Sequence, residues 1–193
     1  MQSFILATGN PGKLEEMQTY FTGLDLELLL KPPELEIEET GETFVDNACL
    51  KASEVAKATG EWAIADDSGL AIDALGGAPG IYSARYGNSD RDRIERVLRE
   101  LDGSPNRRAK FVCAIALASP SGEIVITTEG ICPGEIIQAP RGTGGFGYDP
   151  IFYLPQHQLT FAELTPEMKH QVSHRGEAFK LFLPKFRALF FNQ

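Results

Sequence analysis

Apolar positions along the chain change their period several times, and each change marks an element. Ser3 to Ala7 is a short apolar run that reads as a strand, and Thr8-Gly9-Asn10-Pro11-Gly12 reads as a turn. From Lys13 onward Leu14, Met17 and Phe21 fall at helical spacing, with Glu15, Glu16 and Gln18 off that face. Leu26 to Leu30 is a second apolar run, stopped by Pro32-Pro33. Phe44, Ala48, Ala52, Val55 and Ala56 then predict a helix that Thr40 or Thr43 can cap and Gly60 can end. Trp62 to Ala65 predicts a short buried strand running straight into Asp66-Asp67-Ser68-Gly69. Ile94, Val97, Leu98 and Leu101 mark another helix, closed by Asp102-Gly103.

In the middle of the chain the period falls to two. Phe111 to Ala118 is apolar at every position, as expected of a strand buried on both faces. Ser119-Pro120-Ser121-Gly122 predicts a hairpin turn, with Glu123 to Glu129 as the returning strand. Gly142 to Gly147 forms a second glycine-rich loop before the aromatic run Ile151-Phe152-Tyr153. A last helix starts near His174, with Ala178, Leu181 and Phe182 at helical spacing and a kink expected at Pro184. Strands alternating with helices around a central hairpin predict an α/β fold with a mixed sheet.

Composition narrows this picture. The chain has 193 residues, of which 42% are apolar and 23% charged, enough for a substantial core in a single domain spanning 1–193. Eighteen Lys and Arg against 27 Asp and Glu give a formal charge of −9, which argues against a nucleic-acid polymer or an anionic membrane as partner. The three cysteines, Cys49, Cys113 and Cys132, stand far apart without a CxxC or a His pair, so free thiols are expected rather than a disulfide or zinc framework. Neither a leader nor an apolar span of about 20 residues is visible, so a cytoplasmic protein is expected.

Five stretches offer chemistry. Thr8-Gly9-Asn10-Pro11-Gly12-Lys13 places a glycine-rich turn at a helix N-terminus, where backbone N–H groups and the dipole favour an anion. It is not a Walker A loop, because Leu14 follows the lysine where Ser or Thr would be required. The alternative is an ordinary turn with a surface lysine. Asp66-Asp67 at the end of a buried strand is costly unless paired or bound to a cation. On a strand the two side chains face opposite ways, so one is expected to face a cavity and the other to meet backbone donors. The competing reading is an Asx turn. The acidic segment Glu34 to Glu42 is either a solvated loop or a source of a second metal-binding carboxylate. In Gly142-Thr143-Gly144-Gly145-Phe146-Gly147-Tyr148-Asp149 the two aromatics offer flat faces for a base, or else pack into the core. Lys169 with Ser173-His174-Arg175-Gly176 groups donors at a helix start.

Taken together and in order, Ser3–Lys13, Glu39-Thr40-Gly41 with Asn47-Ala48 and Lys51-Ala52, Ala65-Asp66-Asp67-Ser68-Gly69-Leu70, Leu75 to Tyr86, Gly145-Phe146-Gly147-Tyr148-Asp149-Pro150 and Ser173-His174-Arg175-Gly176 strongly resemble one family. It is the inosine/xanthosine triphosphate pyrophosphatase family, also called Ham1-like or RdgB-like, and the resemblance runs over essentially the whole chain. It implies Mg²⁺-dependent hydrolysis of ITP, dITP and XTP to monophosphate and pyrophosphate, which keeps deaminated purines out of nucleic acids. It further implies a two-lobed fold with a long curved mixed sheet, an active site in the cleft between lobes, and a homodimer. By motif, Thr8, Gly9, Asn10, Pro11, Gly12 and Lys13 would hold the triphosphate, and Lys51 would reach phosphate. Asp67 would bind Mg²⁺ and act as general base, and Ser68 would touch substrate. Glu38 is the expected second metal carboxylate, with Glu39 its close rival. Phe146, Gly147, Tyr148, Asp149, Lys169, His174 and Arg175 would form the nucleoside pocket. The rival functions are a Maf-like pyrophosphatase for pyrimidine or modified nucleotides, and a purine nucleotide sensor that does not cleave.

Overall fold

The computed structural model describes residues 2–191; Met1, Asn192 and Gln193, the ends of the expected 1–193 domain, lie outside the described residues. Among the described residues five α-helices and seven strands follow in the order β1 (Gln2–Leu6), α1 (Pro11–Tyr20), β2 (Leu26–Leu30), α2 (Phe44–Thr59), β3 (Trp62–Ile72), α3 (Asp90–Glu100), β4 (Arg108–Ala118), β5 (Ile124–Ile136), β6 (Phe152–Leu154), β7 (Leu159–Thr160), α4 (Pro166–Val172) and α5 (His174–Phe190). The strands form one mixed sheet in the order β2-β1-β3-β4-β5-β6-β7. β1 runs parallel to both β2 and β3, with Phe4 opposite Leu28 and Trp62, while β5–β6 and β6–β7 are antiparallel. The expected α/β class with a mixed sheet is what forms.

Local chemistry sets the element ends. Asn10 caps α1 by accepting from the Gly12 amide, and Pro11 fills the first helical position, where no amide is needed. Of the two caps open for α2, Thr43 is used: its hydroxyl accepts from Asp46 N while the Asp46 carboxylate accepts from Thr43 N, a reciprocal capping box. Gly60 ends the same helix with φ 71°, a left-handed conformation that suits glycine. α5 continues through Pro184.

β3 departs from expectation. It does not stop at Ala65 but carries Asp66-Asp67-Ser68-Gly69 as strand to Ile72, with Leu70 and Ile72 fully buried. The turn propensity of Asp-Ser-Gly is overridden because both aspartates find cations where the strand leaves them. β6, β7 and α4 span 3, 2 and 7 residues, too short for a periodicity to announce them.

By contacts the chain divides into two compact units. One comprises Met1–Asp67, Ala114–Glu129 and Ala178–Gln193, the other Ser68–Cys113 and Gly130–Glu177. In the first unit the sheet alternation separates two kinds of packing. Ile5 joins Ala63, Ala65, Ala114, Ala116 and Ala118 against Ala48, Ala52, Val55 and Ala56 of α2. These small side chains let the helix lie close to the strands. Phe4, on the opposite face, packs against Phe186 and Phe190 of α5 at 5.0 Å between ring centres. Tyr20 stacks on Phe179 at 4.0 Å, and Phe21 sets its edge against Phe186. The second unit is built on Leu70, Ile72, Ile94, Val97, Leu101, Phe111, Ile136, Ile151, Phe152 and Phe161. Cys49, Cys113 and Cys132 are thiols outside any disulfide, and burial pushes the Cys132 thiol up to about 12. Among the described residues no helix is long and apolar enough to cross a membrane.

Phe186, fully buried in the aromatic cluster, has no smaller substitute that fills its space. Phe186→Ala should therefore lower unfolding stability by about 3–5 kcal/mol in a urea titration, whereas a loss below about 1 kcal/mol would contradict this packing.

Candidate active site

Asp66 and Asp67 follow one another on β3 and are met by cations from different helices. Lys13, in the first turn of α1, reaches Asp66 with its ammonium 2.8 Å from Oδ1 and 3.0 Å from Oδ2. A cation from the glycine-rich loop thus meets this carboxylate. Asp66 is buried, so the pair matters: a buried carboxylate left without its cation typically costs about 3–5 kcal/mol.

Asp67 lies toward α2, where Lys51 sits 3.7 Å from its Oδ1 and 2.7 Å from Glu39 Oε1. One ammonium is thus shared by two carboxylates. Burial alone would lower the Lys51 pKa, but Asp66, Asp67 and Glu39 outweigh it and raise the pKa, so the ammonium stays charged. Burial raises the Asp67 pKa; Lys51 and a hydrogen bond from Asn47 oppose that rise, and Glu39 and Asp66 add to it. Glu38, the expected second carboxylate, has its side chain on the exposed surface of the segment. Its rival Glu39 is the one that comes to Lys51 and Asp67.

Among the described residues no group of three or more His, Cys, Asp or Glu is arranged to enclose a metal. Asp67 and Glu39 nevertheless offer hard oxygen ligands on the two sides of one ammonium. That donor set fits Mg²⁺, which commonly takes one or two carboxylates and completes its shell with water and phosphate.

The glycine-rich loop ahead of α1 is arranged for an anion. Gly9, Asn10, Pro11 and Gly12 are exposed, Thr8 Oγ1 accepts from Asn10 N, and the first turn of α1 contains no acid. The positive end of the helix therefore meets no competing carboxylate within that turn, while the Lys13 ammonium is paired with Asp66.

In the second unit a different group of residues gathers. Asp149 accepts from Phe146 N at 2.9 Å and from Lys169 Nζ, which closes the Gly145–Asp149 loop on itself. A Cβ on Gly145, whose φ is 71°, would stand 2.0 Å from Asp149 Oδ2, so this turn requires glycine. Gly147 N donates to Asp90 Oδ2 at 2.7 Å, an anchor 57 positions away that no motif announced. Phe146 is 60% exposed and lies under the Lys169 ammonium, 4.9 Å from its ring centre. The flat face expected of Tyr148 is not offered. Its ring is buried in the core and its hydroxyl donates to Ser83 O at 2.8 Å, with burial raising its pKa.

His174 and Arg175 are both buried at the start of α5. His174 stacks on Phe111 at 4.7 Å, and Arg175 directs an NH2 group to Ser68 Oγ at 3.5 Å. Asn47, quoted within the sequence motif but given no role, is 2% exposed and touches both Gly41 and Asp67. A buried amide inside a helix bordered by acids was the available signal.

Known proteins resemble this chain over nearly its whole length. The Ham1 family model matches residues 4–185. A dITP/XTP pyrophosphatase from Nostoc sp. is 66% identical over 185 residues, which cover 96% of this chain and 94% of the relative. One of the same name from Synechocystis sp. is 59% identical over 192 residues, covering 100% and 99%. The structure of a HAM1 protein from Coxiella burnetii superposes with a TM-score of 0.92 at 43% identity, covering 97% of this chain and 100% of that one. With residues 4–185 matched by the family model and relatives similar over almost the whole chain, the chain belongs to the Ham1 family.

Proposed function

We propose that this protein hydrolyses non-canonical purine nucleoside triphosphates, dITP, ITP and XTP, to the monophosphate and pyrophosphate. The observation that carries the reading is the Lys51 ammonium held between Glu39 and Asp67, next to the Lys13–Asp66 pair. Two ammonium groups among three carboxylates leave one formal negative charge when all are ionised, which alone would repel a triphosphate. Mg²⁺, held by Asp67 and Glu39 in preference to Glu38, would reverse that sign and neutralise charge on the phosphate oxygens. Asp67 orients a water and accepts its proton as the water oxygen bonds to the α-phosphorus; the bond to the bridging oxygen breaks and pyrophosphate leaves with that oxygen. Lys13 and Lys51 stabilise the charge on the departing phosphates, and the exposed amides ahead of α1 position them.

Selectivity falls to the second group. Phe146 supplies an exposed face for the base, and Asp149 and Lys169 hold its loop. Hypoxanthine and xanthine carry an oxygen acceptor at the 6-position where adenine has an amino donor. Donors from His174 and Arg175 therefore suit the former and are left unpaired by the latter, at about 1–3 kcal/mol per group. The same reading includes a homodimer in the cytoplasm.

Pyrophosphate release from a panel of nucleoside triphosphates, with and without Mg²⁺, tests the reading. ITP, dITP and XTP should turn over with Mg²⁺ and ATP far more slowly; equal turnover of all would refute it. Arg175→Ala should reduce the ITP-over-ATP preference about tenfold, and an unchanged ratio would remove Arg175 from base selection.

Asp67→Asn should reduce turnover by about 100-fold or more, yet in EDTA it should raise Tm. The folded-state pKa of Asp67 is raised above its unfolded value, mainly by burial. Its contribution to stability is therefore fully present below the unfolded pKa and is lost as pH rises through the folded one. The gain from Asp67→Asn should accordingly be largest near neutral pH and shrink on acidification. A metal-free variant less stable than wild type at pH 7.5 would contradict this account.

A further inference from the structure

Asn47 occupies the first turn of α2 with 2% of its surface exposed, and both ends of its amide are engaged. Its Oδ1 accepts from Gly41 N at 2.8 Å, which leaves its Nδ2 as the donor toward the Asp67 carboxylate, whose charged form it favours. Gly41 approaches so closely that a Cβ there would lie 2.6 Å from Asn47 Oδ1 and 2.7 Å from Asp46 Cβ. Two residues before Gly41, Glu39 holds Lys51 at 2.7 Å, and Lys51 in turn faces Asp67. Asn47 and Lys51 are four residues apart and so share one face of α2. The contacts form a closed circuit: Asn47 to Asp67, Asp67 to Lys51, Lys51 to Glu39, and Glu39 through the backbone of Thr40 and Gly41 back to Asn47.

We infer that Asn47 is a positioning residue that fixes the Asp67 carboxylate and the Glu39–Gly41 backbone in one register, so that both carboxylates can serve a single divalent cation. Only a short side chain with one acceptor and one donor fits both contacts. Asp would lose the donor, Leu would lose both, and Gln would be one methylene too long for the space beside Gly41. Lys51 attracts the two carboxylates without fixing their orientation, because an ammonium is a point charge on a flexible stem. The amide supplies the direction that the ammonium lacks.

The inference rests on the functional reading above, and its test separates the two. Mn²⁺ binding to the nucleotide-free enzyme is measured by electron paramagnetic resonance for wild type, Asp67→Asn, Asn47→Leu, Asn47→Ala and Val55→Ala. Val55 is a fully buried residue of the same helix outside the circuit. The Asn47 variants should bind Mn²⁺ about 10–100-fold more weakly, as expected when a group orienting a ligand is lost. Their kcat for ITP at saturating Mg²⁺ should fall about tenfold or more, with a smaller change in KM. Val55→Ala should lower Tm without weakening Mn²⁺ binding. Mn²⁺ affinity and kcat within about twofold of wild type, in whichever Asn47 variant unfolds cooperatively, would overturn the inference. So would loss of the folded state in both, which would make Asn47 a general structural residue. A wild-type enzyme with no Mn²⁺ site that Asp67→Asn removes would overturn the functional reading instead.

Discussion

A single ammonium shared by two carboxylates, Lys51 between Glu39 and Asp67, is the interaction on which the site depends. It lets an acidic loop and a buried strand converge without mutual repulsion. Removing it would leave Asp67 buried with its like-charged neighbours and with less to offset its loss of hydration. The Lys13–Asp66 pair does the same for the adjacent residue with a cation from a different helix. Consecutive strand positions are thereby neutralised separately, and β3 can carry two acids through its middle.

The rest of the first unit gives these charges fixed places. α2 brings Lys51 and Asn47 to the strand because alanines at Ala48, Ala52 and Ala56 keep the helix close to the sheet. Its start is set by the Thr43–Asp46 capping box, immediately after the segment that contains Glu39 and Gly41. A longer side chain at the alanine positions would lift the helix and lengthen every contact in the cluster. In the second unit the equivalent rigidity comes from backbone capture. Asp149 and Asp90 take amides of the Phe146–Gly147 turn, and Lys169 is held over the Phe146 ring, so an exposed aromatic stands on a fixed loop.

Much of this was legible in the amino-acid order. The α/β class followed from the alternation of periods, and α2 was readable to its terminal glycine, with its cap narrowed to Thr40 or Thr43. Asp67 and the loop before α1 stood out because charge and glycine lie where an apolar pattern breaks, whereas only the family resemblance pointed to Lys51. Other features could not be read. Whether Glu38 or Glu39 turns inward depends on how an irregular segment meets α2, which no period encodes. The continuation of β3 through Asp66-Asp67-Ser68-Gly69 depends on cations 53 and 16 residues upstream, so local turn propensity misleads there. Tyr148 and Phe146 look alike in sequence, yet a turn at Gly147 leaves one ring buried and the other exposed. Even the net charge of −9 reads differently once placed: part of it lies in Glu39, Asp66 and Asp67, which are paired with Lys13 and Lys51 rather than spread over a repulsive surface.

The most direct measurement is a crystal structure with Mn²⁺ and a non-hydrolysable inosine triphosphate analogue, with the metal located by its anomalous scattering. The account requires the anomalous peak within coordination distance of carboxylate oxygens from both Asp67 and Glu39, with the remaining ligands from phosphate and water. A peak on Glu38, or a metal held by the triphosphate alone with Asp67 still turned to Lys51, would contradict it.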